Sequence, residues 1–125
     1  DQMRYRDIHQ NFRDAMAAPA SLGEFSGNVD AVLTERYWDQ ELVALRAKEN
    51  VVRQKLRAVQ KKEKISSDRL KAMREELISE ALTERDREVL QKGVSNQEYH
   101  YLGSAKIMAQ IGKGFAEAMA ELVTD

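Results

Sequence analysis

The chain has no cysteine, one proline and six glycines in 125 residues, and these shortages bound it before any motif is considered. Without cysteine there are no disulfides, zinc–thiolate sites or cysteine nucleophiles. The same absence suits a reducing or an oxidising compartment equally, so it assigns no location. With Pro19 alone and few glycines, the backbone has few places to reverse. No run of about 18 apolar residues occurs, so no membrane-spanning helix is expected. Neither sign of charge dominates: 20 Lys and Arg stand against 21 Asp and Glu, for a net charge of −1. Overall charge therefore selects no polyanionic partner. The sequence begins at Asp1 rather than Met and is read as a processed form or a fragment.

What is present is helix-forming. Ala, Leu, Glu, Lys, Arg and Gln dominate, residues that lose little side-chain freedom in a helix. The expected class is all-α, a long antiparallel helical hairpin or coiled-coil-like bundle of three to four helices in one domain over residues 1–125. Tyr5, Ile8, Phe12 and Ala15 share one helical face, so a first helix is expected at about 1–18, ended by Pro19. Residues 19–29, rich in Gly, Ser and Asn, read as the one clear loop.

A second helix is expected at about 30–64, on the order of 50 Å long. Trp38, Leu42, Leu45, Val52, Leu56 and Val59 form its heptad seam, interrupted by Glu49. Ser66 or Ser67 is suited to cap a new helix at about 67–92, with Asp68 at its positive end. The favoured arrangement is a hairpin. One unbroken helix is the alternative, since no Gly or Pro forces a break. Leu70, Met73, Leu77 and Ala81 would face the partner helix. Ser95-Asn96-Gln97-Glu98 matches a capping box, placing a last helix at about 96–123. Its seam runs through Tyr101, Met108, Ile111, Phe115 and Leu122, with small residues such as Ala109, Gly112 and Ala116 beside it.

The stretch Leu82-Thr83-Glu84-Arg85-Asp86-Arg87-Glu88-Val89-Leu90, followed by Gly93-Val94-Ser95-Asn96-Gln97-Glu98, resembles the opening of the LuxR/GerE helix-turn-helix family. It covers about 17 residues. The resemblance implies a following recognition helix for the DNA major groove. The spacer before Gly93 is shorter than in that family and the downstream Thr-Val-Lys signature is missing, so no DNA-contacting residue is carried over. The same nine residues also read as a capped, charge-rich helical turn.

Charge is banded along the chain. Between Arg46 and Lys64 there are eight basic residues against two acidic ones, whereas residues 1–45 carry eight acids against four bases. Arg53, Arg57, Lys61 and Lys64 share a helical face suited to phosphates or an acidic protein surface. A solvated face is the plainer reading. Catalytic chemistry is not suggested. His9 and His100 each follow an acid by two residues, about 200° away around a helix, so neither pair chelates a metal. Gly112-Lys113-Gly114 lacks the Gly-Lys-Ser/Thr of a phosphate loop, and no spacing singles out an acid–base pair.

The apolar stripes are thin and fifteen of the apolar residues are alanine. Burial within one small chain would then be marginal against the entropy of ordering it. The expectation is a structural or adaptor protein working through helix–helix contact, as part of an assembly or with copies of itself. No enzyme activity, cofactor, metal or small-molecule substrate is expected. The alternatives are a nucleic-acid-binding module using the basic face 46–64, and a secretion chaperone or translocated secretion-system component.

Overall fold

The computed structural model describes residues 2–124, with side chains from Arg6 onward. Tyr5 on the expected first seam thus has its side chain outside the described residues. The chain is all-α, and no strand occurs among the described residues. Among the described residues five α-helices follow one another: α1 (Gln2–Ala17), α2 (Gln40–Lys62), α3 (Ser67–Ala81), α4 (Glu84–Gly93) and α5 (Ala105–Thr124). Short 3-10 turns occupy parts of the connections. Two compact units result, residues 38–106 and residues 1–37 with 107–125.

The unit 38–106 is built on a helical hairpin. Asp39 caps α2 by accepting the Leu42 N–H at 3.2 Å, which satisfies one of the unpaired donors at a helix start. Leu42, Leu45, Val52 and Leu56 are buried along one face of α2. Glu49 interrupts that row in sequence but is ion-paired with Arg46 and, at 3.9 Å, with Arg53. α2 ends at Lys62, and Ser66 caps α3 by accepting the Arg69 N–H. After this short connection α3 runs back along α2. Leu45, Val52, Leu56, Ile78 and Leu82 form the core, with Leu70, Met73, Leu77 and Ala81 packed half-buried against it.

The helix boundaries differ from the expected ones in three places. α2 begins at Gln40 rather than near residue 30, which makes it about 34 Å long. Residues before it follow an irregular path with a short 3-10 turn, and Trp38 packs tilted against Tyr101 with ring centroids 5.4 Å apart. The expected helix 67–92 is broken at Leu82, which is extended (φ −133°, ψ 131°) and buried. Thr83 and Asp86 then exchange side-chain-to-backbone hydrogen bonds as a capping box that restarts the chain as α4. This is the capped turn visible in the sequence, and it divides two helices.

The last helix begins at Ala105, not near residue 96. The capping box expected of Ser95 and Glu98 is absent. The Ser95 hydroxyl donates to the Gly103 carbonyl, and Glu98 accepts from Asn50. Over Glu98–Gly103 the chain forms a tight turn in which Tyr101, Leu102 and Gly103 all have positive φ (51°, 59° and 60°). Left-handed backbone at a leucine costs of order 1–3 kcal/mol. Complete burial of the Leu102 side chain, worth roughly 1.5–3 kcal/mol, offsets it. The Ser95 and Asn96 N–H groups both donate to the Leu102 carbonyl at 2.9 Å, closing the turn.

In the other unit, α1 leads into 3-10 turns at Ala18–Ser21 and Gly23–Phe25 and then an irregular stretch to the turn Thr34–Tyr37. α5 supplies a buried line at Ile107, Ile111 and Gly114. Tyr37 presses on that line at Gly114, where a Cβ would stand 2.9 Å from the phenol Cζ.

Candidate interaction surfaces

The seam residues separate into two groups. On α2, Leu42, Leu45, Val52 and Leu56 are enclosed within the hairpin unit and Val59 is half-buried. Leu42 lies against Gly93, where a Cβ would come within 2.7 Å of a Leu42 methyl. Trp38 and Tyr101 are half-buried and belong to no α-helix. On α5 the outcome is different. Ile111 is buried and Leu122 half-buried, but Met108 and Phe115 are each 52% exposed. The buried line runs through Ile107, Ile111 and Gly114, rotated from the expected seam because Gly114 admits the Tyr37 ring.

That rotation leaves an apolar row facing outward. Met108, Phe115, Met119 and Val123 are 52–77% exposed and fall on one side of α5 at helical spacing. Exposed Gly112 and Ala116 lie among them, and a Cβ at Gly112 would meet nothing within 4 Å. The charged residues of α5, with Lys113 and Glu117 ion-paired at 2.9 Å, sit away from this row. A second row lies on α1, where Ile8, Phe12 and Met16 recur every four residues at 49–69% exposure. The main packing of α1 is with the turn that follows it. Scattered exposed apolar residues are ordinary, whereas these are aligned in rows.

The basic face divides as well. Arg53 is half-buried and held by Glu49, while Arg57, Lys61 and Lys64 are exposed and make no ion pair among the described residues. The hairpin places Arg69 and Lys71 of α3 at the same end, with Arg74 further along, beside Arg53 and Leu56.

A cleft of about 330 Å³ between α2, α3 and α4 has Ile78, Leu82, Leu90 and Val94 in its wall, with Arg46, Glu49, Glu75 and Arg87 beside them. Arg46 pairs with Glu49 and Arg87 with Glu75, so the wall is close to neutral. The Nε atoms of Arg46 and Arg87 are buried without a hydrogen-bond partner. His9 and His100 are both exposed, and His100 lies against Tyr99 with centroids 4.5 Å apart. Among the described residues no three His, Cys, Asp or Glu side chains are grouped to hold a metal, and no helix is long and apolar enough to cross a membrane.

The shifted acids are explained by helix ends and pairing. Asp39 is held below its ordinary value chiefly by the hydrogen bond from Lys106, with the Leu42 N–H assisting. Lys106 is raised by the same contact. Glu98 is lowered by its own backbone N–H and by Asn50, and Asp86 by the Thr83 backbone and hydroxyl. Lys113 is raised by Glu117. Each of these shifts favours the charged form that the fold uses.

Between α4 and α5 lie residues 94–104, longer than the three- to four-residue turn of a helix-turn-helix. No family model, curated protein or solved structure matches this chain.

Proposed function

We propose that this is a non-enzymatic structural or adaptor protein that acts by packing its exposed helical rows against another protein chain, in an assembly or with a second copy of itself. The observation that carries this reading is the α5 row of Met108, Phe115 and Met119, more than half exposed, flanked by Gly112 and Ala116. Large side chains alternating with small ones let a second helix approach closely and interdigitate. Covering a Met or Phe side chain contributes roughly 1.5–3 kcal/mol each relative to leaving it in water. The α1 row offers a second such surface.

Photo-crosslinking in the source cells tests this. The photoreactive residue is introduced as Phe115→p-benzoylphenylalanine or Phe12→p-benzoylphenylalanine, with Arg36→p-benzoylphenylalanine as a control at another exposed site. Discrete protein adducts at 115 and 12, absent at 36, are the expected result. Adduct yields at 115 and 12 no greater than at 36 would contradict the reading.

A further inference from the structure

The end of the α2–α3 hairpin concentrates positive charge that the fold leaves unpaired. Residues 55–74 hold eight lysines and arginines against Glu63 and Asp68, an excess of six in a chain whose net charge is −1. Among the described residues none of these eight makes an ion pair. Arg46, Arg53, Arg85, Arg87 and Lys92, elsewhere in the same unit, each lie within 4.0 Å of a carboxylate.

Helix electrostatics account for only part of this. Lys61 and Lys62 occupy the last turn of α2, where the dipole favours cations. Arg69 and Lys71 lie in the opening turns of α3, where the dipole disfavours them. Crowding like charges at one end also costs stability through self-repulsion. An external anion would relieve both.

We propose that this hairpin end, residues 55–74, binds the phosphate backbone of duplex nucleic acid without reading base sequence. What surrounds the cations selects that partner over other polyanions. None of the exposed large apolar residues lies between Val51 and Tyr99, and no aromatic residue occurs between Trp38 and Tyr99. There is thus no apolar wedge for a lipid surface, no ring on which unpaired bases would stack and no apolar anchor for a protein interface. Charge carried on two rigid helices remains. Two helices packed about 8–10 Å apart, each about 10–12 Å across with its side chains, present a front of about 20 Å, enough to straddle the roughly 12 Å major groove, so phosphates bordering the groove on both strands come within reach of one end. This surface shares no residue with the apolar rows, and the proposal stands independently of the adaptor reading.

Fluorescence anisotropy of the full chain with two unrelated fluorescein-labelled 24-base-pair DNA duplexes, in 50 to 200 mM KCl, tests it. Both duplexes should bind within about threefold of each other, as backbone contacts carry no sequence information. If four phosphates are engaged, the logarithmic salt slope is about −3.6, a weakening of roughly 150-fold across that range. The variant Arg57→Gln/Lys61→Gln/Lys64→Gln should lose at least about tenfold in affinity at 50 mM KCl and flatten the slope by up to about three units. Lys71→Gln/Arg74→Gln, on the other helix, should weaken binding in the same direction, while Lys92→Gln/Lys113→Gln leaves it within about twofold. Circular dichroism checks that each variant is folded. Absence of binding at 50 mM KCl, binding indifferent to both hairpin variants, or tighter binding to phosphatidylserine vesicles, polyglutamate or single-stranded DNA would overturn the proposal.

Discussion

Asp39 and Lys106, 67 residues apart, meet at 2.6 Å between Oδ2 and Nζ. The other carboxylate oxygen of Asp39 caps α2, so one side chain fixes both the start of the long helix and the residue that follows the first position of α5. This contact is one of several that lower an acid in the hairpin unit. Asp39 has a folded-state pKa below its ordinary 3.8, and Glu98 and Asp86 are likewise lowered. Acids lowered on folding contribute stability that is complete above their unfolded values, and it is lost as pH falls through the folded ones. Urea midpoints should therefore be level from neutrality to about pH 5 and fall below about pH 4. Asp39→Asn retains a good capping oxygen but removes the ion pair, so its acid decline should be shallower. Asp39→Ala should be less stable than Asp39→Asn by about 1 kcal/mol at pH 7. An Asp39→Asn profile superimposable on the parent after scaling would remove Lys106 from the explanation.

Gly114 is where the other unit admits least. Replacing it with Ala forces a methyl against the Tyr37 phenol, and overpacking of this kind costs about 1–3 kcal/mol. The nearest phenol atom is the hydroxyl oxygen, so Tyr37→Phe should restore part of the loss in the Gly114→Ala background. A double-mutant cycle from thermal melts measures the coupling, with non-additivity above about 0.5 kcal/mol expected for residues in contact. Strict additivity would show that the Tyr37 hydroxyl does not bear on residue 114 in solution.

Arg69 sits exposed in the first turn of α3 without an ion pair among the described residues. Replacing it with Glu removes a cation from the positive helix end and from a crowded basic patch. Arg69→Glu should raise stability by about 0.3–1 kcal/mol at low salt, and the gain should shrink in high salt. Chemical denaturation at two ionic strengths reads this directly. A loss of stability would mean that Arg69 has a structural role in the fold.

Helical class and the α2–α3 reversal were legible because local rules governed them. Ser66 or Ser67, with Asp68, marks a helix start, which the structure places at Ser66, and the 3-4 rows at Leu42 to Leu56 and Leu70 to Ala81 pack together. The chain departs from local pattern where distant contacts override it. Residues 30–37 have helix-compatible composition, yet the Tyr37 contact with Gly114 and the Trp38 stack on Tyr101 hold the chain in another path. Nothing local to Tyr101 or Leu102 signals positive φ. That turn depends on the buried Leu102 side chain and the paired N–H groups of Ser95 and Asn96. The break at Leu82 did carry a signal, since Thr83 and Asp86 have capping-box spacing, but a capped turn inside a periodic segment reads equally well as continuous helix. On α5 the three-four spacing points to a seam through Met108 and Phe115. The burial instead follows Gly114, where the absence of a side chain is what permits contact.

Methionine oxidation in the source cells, compared with that of the purified protein at nanomolar concentration, addresses the adaptor reading most directly. Met16, Met108 and Met119 are all more than half exposed on the two apolar rows, so a brief peroxide pulse should oxidise them readily in the dilute purified chain. In cells the account predicts that Met108 and Met119 are protected at least about tenfold, with Met16 following, while half-buried Met73 in the hairpin changes little. Equal oxidation of Met108 and Met119 in both settings would mean that nothing covers the α5 row, and would contradict the account.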